Sequence, residues 1–195
     1  MYISDFRRTD TVSYPGFLLS AVEMSDGSGE GVSEVEVANT IYNDRDSLDG
    51  VLFRGCGKDI LEFDGIHRLI KNVMPKHIIS VVETNGKRPD TLDDLIGAGY
   101  INDAIIVLDM FPVKTQQESL EILRKGDCRF GVKLYLDPER LTLEDAHKLI
   151  HSMSGALQVQ LRRPDAEGDR KRYRKNDLMA LAKPIRAVAR DVKIY

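Results

Sequence analysis

Short runs rich in Ile, Val and Leu recur along this chain, starting near residues 17, 51, 78, 104, 130, 157 and 191. The intervals between them carry apolar residues at helical spacing, as in Ile60, Phe63, Ile66, Leu69, Ile70 and Val73. This alternation constrains the fold more than any other feature. Two parallel strands need a crossover of about a dozen residues or more, and each interval is long enough to hold one as a helix. Asn85-Gly86, a hairpin-type turn signal, leads into a helical pattern rather than a second strand. The expected class is therefore α/β with parallel strands, in a single domain over residues 1–195.

Strands are expected over Phe17–Glu23, Gly50–Phe53, His77–Val82, Ala104–Leu108, Phe130–Leu136, Leu157–Leu161 and Asp191–Tyr195. Helices are expected over Glu34–Asp44, Asp59–Val73, Asp90–Gly97, Thr115–Lys125, Thr142–Met153 and within Asn176–Arg190, the last kinked at Pro184. Local chemistry sets several ends. Ser33 with Glu36 three residues on reads as a capping box, and Thr142 as another N-cap. Pro75 and Gly126 are stop signals. Met1–Ser13 is polar and reads as a leader packed on one end of the domain.

Of the 195 residues, 42% are hydrophobic and 30% charged, which suits a globular chain with a sizeable core rather than a disordered one. No apolar run approaches the roughly 18 residues of a membrane-spanning helix. The N-terminus has no apolar segment of the secretory type, so no export signal is expected. Cys56 and Cys128 then read as free thiols of a reducing cytoplasm. A net charge of −3 gives no general case for nucleic acid or an anionic membrane. The charge is uneven, however. Residues 162–175 hold seven basic side chains against three acidic ones, a segment suited to a phosphorylated ligand or an acidic partner.

The strands are not uniformly apolar. Lys133 and Tyr135 share one strand face, and Gln158, Gln160 and Arg162 alternate with Leu157, Val159 and Leu161. Ser80, Val82 and Thr84 oppose Ile79, Val81 and Glu83. Helices on both sides of a sheet would favour apolar residues on both, whereas a half-polar face suits the interior of a partial barrel around a wet cavity. Lys133, Gln158, Gln160 and Arg162 are expected to line that cavity. Asn85 and Asp109, at strand C-terminal ends, are expected at its mouth.

Five segments carry a family resemblance: Tyr14-Pro15-Gly16 before the first strand, LDGVLFRGCGKDIL from Leu48 to Leu61, ETNG from Glu83 to Gly86, IIVLDMFP from Ile105 to Pro112, and LQVQLRRP from Leu157 to Pro164. In this order and spacing the chain resembles the radical S-adenosylmethionine (SAM) superfamily, closest to the activases of glycyl-radical enzymes such as pyruvate formate-lyase and anaerobic ribonucleotide reductase. The resemblance implies a partial parallel (β/α)6 TIM-like barrel with an added C-terminal helix and strand. Three departures bear on chemistry. The family's CxxxCxxC loop, which holds a [4Fe–4S] cluster, is here the cysteine-free SDGSGEGVS. Gly55, Cys56 and Gly57 replace the motif whose Glu meets the amino group of SAM. Asp109 is kept, but Phe111 stands where the family has its Lys.

The resemblance thus implies a cluster-less, non-catalytic module that binds a ligand or a partner. Gly55, Thr84, Asn85, Asp109, Lys133, Gln158, Gln160 and Arg162 form the expected binding set, with no catalytic residue and no metal ligand assigned. No cofactor is expected: no iron–sulfur cluster, and at most weak residual SAM binding. A small polar or phosphorylated ligand, or a protein docked at the barrel mouth, would be the partner; a membrane and nucleic acid are not expected. The competing reading is an enzyme that re-uses the mouth through Lys133, Asp109 and Cys56, or an atypical radical SAM activating enzyme. Lesser candidates are a desolvated Lys133 as a Schiff-base amine, Cys56 as a thiolate nucleophile, His147 and His151 at zinc-ligand spacing, and Gly27, Gly29 and Gly31 as a phosphate cradle. For Lys133 an ion pair with Asp109 or Glu83 is the simpler reading, and for the others packing or a solvated surface.

Overall fold

Alternating apolar residues pair into one eight-stranded sheet. The computed structural model describes residues 2–7, 19–26, 31–75, 77–135, 143–162, 179 and 182–194. The strands are β1 (Tyr2–Arg7), β2 (Leu19–Ser25), β3 (Gly50–Gly55), β4 (Ile79–Thr84), β5 (Asp103–Leu108), β6 (Arg129–Tyr135), β7 (Gln158–Arg162) and β8 (Asp191–Ile194). The helices are α1 (Glu34–Asp44), α2 (Ile66–Val73), α3 (Pro89–Gly97), α4 (Lys114–Lys125) and α5 (Leu143–Ser152). The strands lie in chain order from β1 to β8, and every neighbouring pair is parallel except β1 with β2.

The seven strands read from sequence are β2 to β8, and α1 begins at its expected cap, with the Ser33 hydroxyl accepting from the Glu36 amide at 3.1 Å. Two expectations need correction. Residues Tyr2–Arg7 of the leader form β1, antiparallel to β2. A register shift between Ile3 and Asp5 places Ile3 and Phe6 opposite Met24 and Val22, on one face though three residues apart. That bulge hides the period-two pattern by which a strand is recognised. The second correction is at Asp59–Val73. Residues Ile60–Glu62 form a 3-10 turn capped by Asp59, Phe63 is extended, and Gly65 takes φ 82 before α2 starts. The Thr142 cap, Tyr14-Pro15-Gly16, Gly27, Gly29, most of the basic segment and part of the Asn176–Arg190 helix lie outside the described residues. Residues 182–185 are helical and include Pro184.

The sheet has two unlike faces. On one, Val22, Phe53, Val82, Ile106, Val132 and Val159 join helix residues such as Ile41, Leu69, Leu92, Leu120 and Leu149 in the main core. The opposite face has a small apolar cluster of Leu19, Leu52, Val81 and Ile105, and no described helical residue belongs to it. A doubly wound sheet reverses its strand order and carries helices on both faces; among its described residues this sheet does neither. Among the described strands it is not closed, since β1 and β8 are its two edges.

Asp103 and Arg129 bind the N-terminal end of the helix-free face. The guanidinium donates two hydrogen bonds to the carboxylate, each 2.7 Å, and Asp103 is fully buried. Burial pushes the Asp103 carboxyl up, and Arg129 opposes that shift.

Candidate binding site at the C-terminal strand ends

Parity along each strand decides which side chains share the helix-free face. Val81 and Ile105 belong to it, so Glu83, two residues on, does too. Register carries the face across to Lys133 and Gln160, and on β2 and β3 to the paired Glu23 and Arg54. The apolar cluster fills the lower half of β2 to β5. The upper end and the β6–β8 side are polar.

Lys133 is only 5% exposed. Its ammonium donates a hydrogen bond to Glu83, reaching from β6 past β5 to β4. Burial pushes Lys133 below the ordinary lysine range, Glu83 pulls it back up, and the charges of Arg162 and Arg54 add to the lowering. These two guanidiniums, from β7 and β3, share the helix-free face with Lys133 by strand parity. Arg54 Nε is 3.6 Å from Glu23 Oε1. On β7 and β8 the polar groups form a chain. Arg162 Nη2 donates to Gln160 Oε1 at 3.3 Å, Gln160 Nε2 to Gln158 Oε1 at 2.8 Å, and Gln158 Nε2 to Asp191 Oδ2 at 2.9 Å. Gln158 and Gln160 are buried.

Above this face an open cleft of about 470 Å³ is lined by Arg54, Gly55, Lys58, Asp59, Glu83 and Asn85, among others. Asp59 joins the loops after β3 and β4. Its Oδ1 accepts from the Leu61 amide (3.0 Å) and the Thr84 hydroxyl (2.8 Å), and its Oδ2 from the Asn85 amide (2.5 Å). From below, Gln116 Nε2 on α4 donates to the Asn85 carbonyl at 2.7 Å, and the Ser119 hydroxyl to the Gly86 carbonyl at 2.8 Å. The Thr-Asn-Gly turn is thus held from two sides. Gly55 permits the close return of the loop, because a Cβ there would collide with the Lys58 carbonyl oxygen.

The structure brings the expected set together in two groups. Gly55, Thr84 and Asn85 surround the cleft; Lys133, Gln158, Gln160 and Arg162 form the polar wall, and Glu83 connects the two. Thr84 is buried, with its hydroxyl engaged by Asp59 and the Gly86 amide. Asp109 stands apart, half-exposed and paired with Lys87 at 2.9 Å. Cys56 is exposed, and its amide bonds the Met24 carbonyl. Lys133, Asp109 and Cys56 thus have different partners. His151 is exposed at the end of α5, and the side chain of His147 lies outside the described residues. Among the described residues, no three metal-ligating side chains come together.

Sequence reasoning missed Glu23, Arg54 and Asp59 as site residues and treated Glu83 only as a partner for Lys133. The signal was there for three of them. Glu23, Arg54 and Glu83 each end an apolar run at a strand C-terminus. Asp59 gave no such signal, and its bonds to Thr84 and Asn85 cross 25 and 26 residues of chain. Among the described residues no helix is long and apolar enough to cross a membrane. No known family model matches the chain, and no curated protein matches it either.

Proposed function

We propose that this chain is a cluster-less, radical-SAM-like partial barrel that binds a small anionic ligand at the C-terminal mouth of its strands. The carrying observation is that strand parity and register put Arg54, Lys133 and Arg162, from three different strands, on the helix-free face. Cations placed together in partly desolvated surroundings repel one another, and an anion relieves that repulsion. Glu23 and Glu83 hold two of them in position. The barrel reading draws support from the unreversed strand order and from helices grouped on one face. Buried Asp103, Lys133, Gln158 and Gln160 on the opposite face add to it, because a curled sheet shields its own concave side.

Exposed Phe111, Val113 and Tyr135, at or just beyond the C-terminal ends of β5 and β6, favour a protein partner at the mouth as a second reading. Calorimetry with inorganic phosphate tests the first. Binding should weaken with rising salt, and at least tenfold in Arg162→Ala or Arg54→Ala. Equal binding by these variants would overturn the site. Anaerobic reconstitution with iron and sulfide tests the scaffold's chemistry. A stoichiometric cluster with release of 5′-deoxyadenosine under reductant would instead make the chain an active radical enzyme.

A further inference from the structure

We infer that Lys133 captures the carbonyl group of a small anionic aldehyde or ketone as an imine, with Glu83 relaying the protons. The inference rests on the anion-binding reading of the same mouth and names its ligand class. Three observations carry it. Lys133 is buried on the helix-free face near the strand C-terminal ends. Its ammonium is held by Glu83, a carboxylate that itself lines the 470 Å³ cleft, so the nitrogen lies one hydrogen bond behind the cleft wall. Arg54 also lines that cleft, and Arg162 sits on β7, hydrogen-bonded to Gln160, the register neighbour of Lys133. The Arg54 guanidinium can therefore hold the carboxylate or phosphate of a ligand in the cleft whose carbonyl faces the amine. Burial and these neighbouring cations also lower the proton affinity of the amine, as imine formation requires.

The step balances within the site. The ammonium gives one proton to the Glu83 carboxylate. The neutral Lys133 nitrogen then forms a bond to the carbonyl carbon, and the carbonyl π pair moves to oxygen, which takes a second proton from nitrogen. Protonated Glu83 returns its proton to the resulting hydroxyl, which leaves as water. Ammonium and carbonyl have become iminium and water, and the regenerated carboxylate pairs with the iminium.

The test incubates the full chain with glyoxylate or dihydroxyacetone phosphate in the presence of sodium cyanoborohydride, which adds hydride to the iminium carbon and fixes the adduct as a secondary amine. Peptide mapping should find close to one adduct per chain, at Lys133, formed at least tenfold faster than at any other lysine. Lys133→Met should remove it, and Glu83→Gln should slow it at least tenfold. If either variant misfolds, the wild-type map and the charge-free pair Glu83→Gln/Lys133→Met decide. Adducts spread over exposed lysines, or none at Lys133, would overturn the inference. Glycolate and glycerol 3-phosphate, which lack the carbonyl, separate the two proposals. If they bind while Lys133 stays unmodified, anion binding survives and imine capture fails. If they neither bind nor protect while Lys133 is trapped, imine capture stands and the guanidinium site fails.

Discussion

Asp103 carries its charge at a fully buried position, and Arg129 is its bidentate partner. Removing that partner leaves a buried carboxylate without compensation, so Arg129→Ala should cost about 2–3 kcal/mol at neutral pH. The pH dependence has a definite sign. A carboxyl raised on folding binds its proton more tightly in the folded state. It favours the fold at acid pH and loses that advantage as pH rises through its folded value. Urea unfolding should therefore show a smaller penalty for the variant at pH 5 than at pH 7; an equal penalty would separate it from Asp103. Cys128 behaves alike in the alkaline range. Burial, with the Asp103 charge, pushes its thiol from 9.0 up to about 12. The fold keeps that proton after the unfolded chain has lost it, so stability falls from pH 9 upward. At pH 10.5 the loss should be roughly 2 kcal/mol, and Cys128→Ala should lack it. Exposed Cys56 should react with a thiol reagent in the native state while Cys128 stays protected.

At the scale of the element, the loop from Gly55 to Ile60 decides whether the cleft exists. It folds back so closely that a methyl group at Gly55 meets the Lys58 carbonyl, whereas one at Gly57 meets nothing within 4 Å and is opposed only by φ 83. Gly55→Ala must move backbone that carries Asp59, at a cost of about 2–3 kcal/mol. Gly57→Ala pays only the left-handed conformation, about 1 kcal/mol. Thermal unfolding should rank them in that order, and Gly55→Ala should also lower anion affinity by displacing Asp59 from Thr84 and Asn85. Similar stability for the two variants would mean that the loop relaxes freely. A second element, β8, is an edge with partly exposed residues. Its carboxylate at Asp191 anchors the glutamine chain of β7 from outside.

Across the whole molecule, burial on both faces is concentrated in β3, β4 and β5. Leu52, Val81 and Ile105 fill the helix-free side, while Phe53, Val82 and Ile106 face the helices. Amide hydrogen exchange should be slowest there and fastest in β8, because opening an interior strand exposes two apolar faces at once. Fast exchange in β4 would contradict a sheet with its strongest packing at the centre.

The alternation of apolar runs with helical spacing was enough to derive the α/β class and the places of β2 to β8, since both periods follow from backbone geometry within a few residues. The Ser33 cap was legible for the same reason: donor and acceptor are three residues apart. Side-chain parity likewise placed Lys133, Gln158, Gln160 and Arg162 on one face, but it could not say which face of β4 joined them. Only the sheet register did so, and it chose Glu83 over Thr84. The tertiary structure alone decided three further matters. The bulge in β1 turned part of a polar leader into an edge strand. Asp59 became the tie between two loops that sequence analysis had assigned to separate motifs. Lys133 took Glu83, two strands away, while Asp109 took Lys87. Such pairings depend on how strands far apart in the chain are set side by side, and on which groups lose water when they meet.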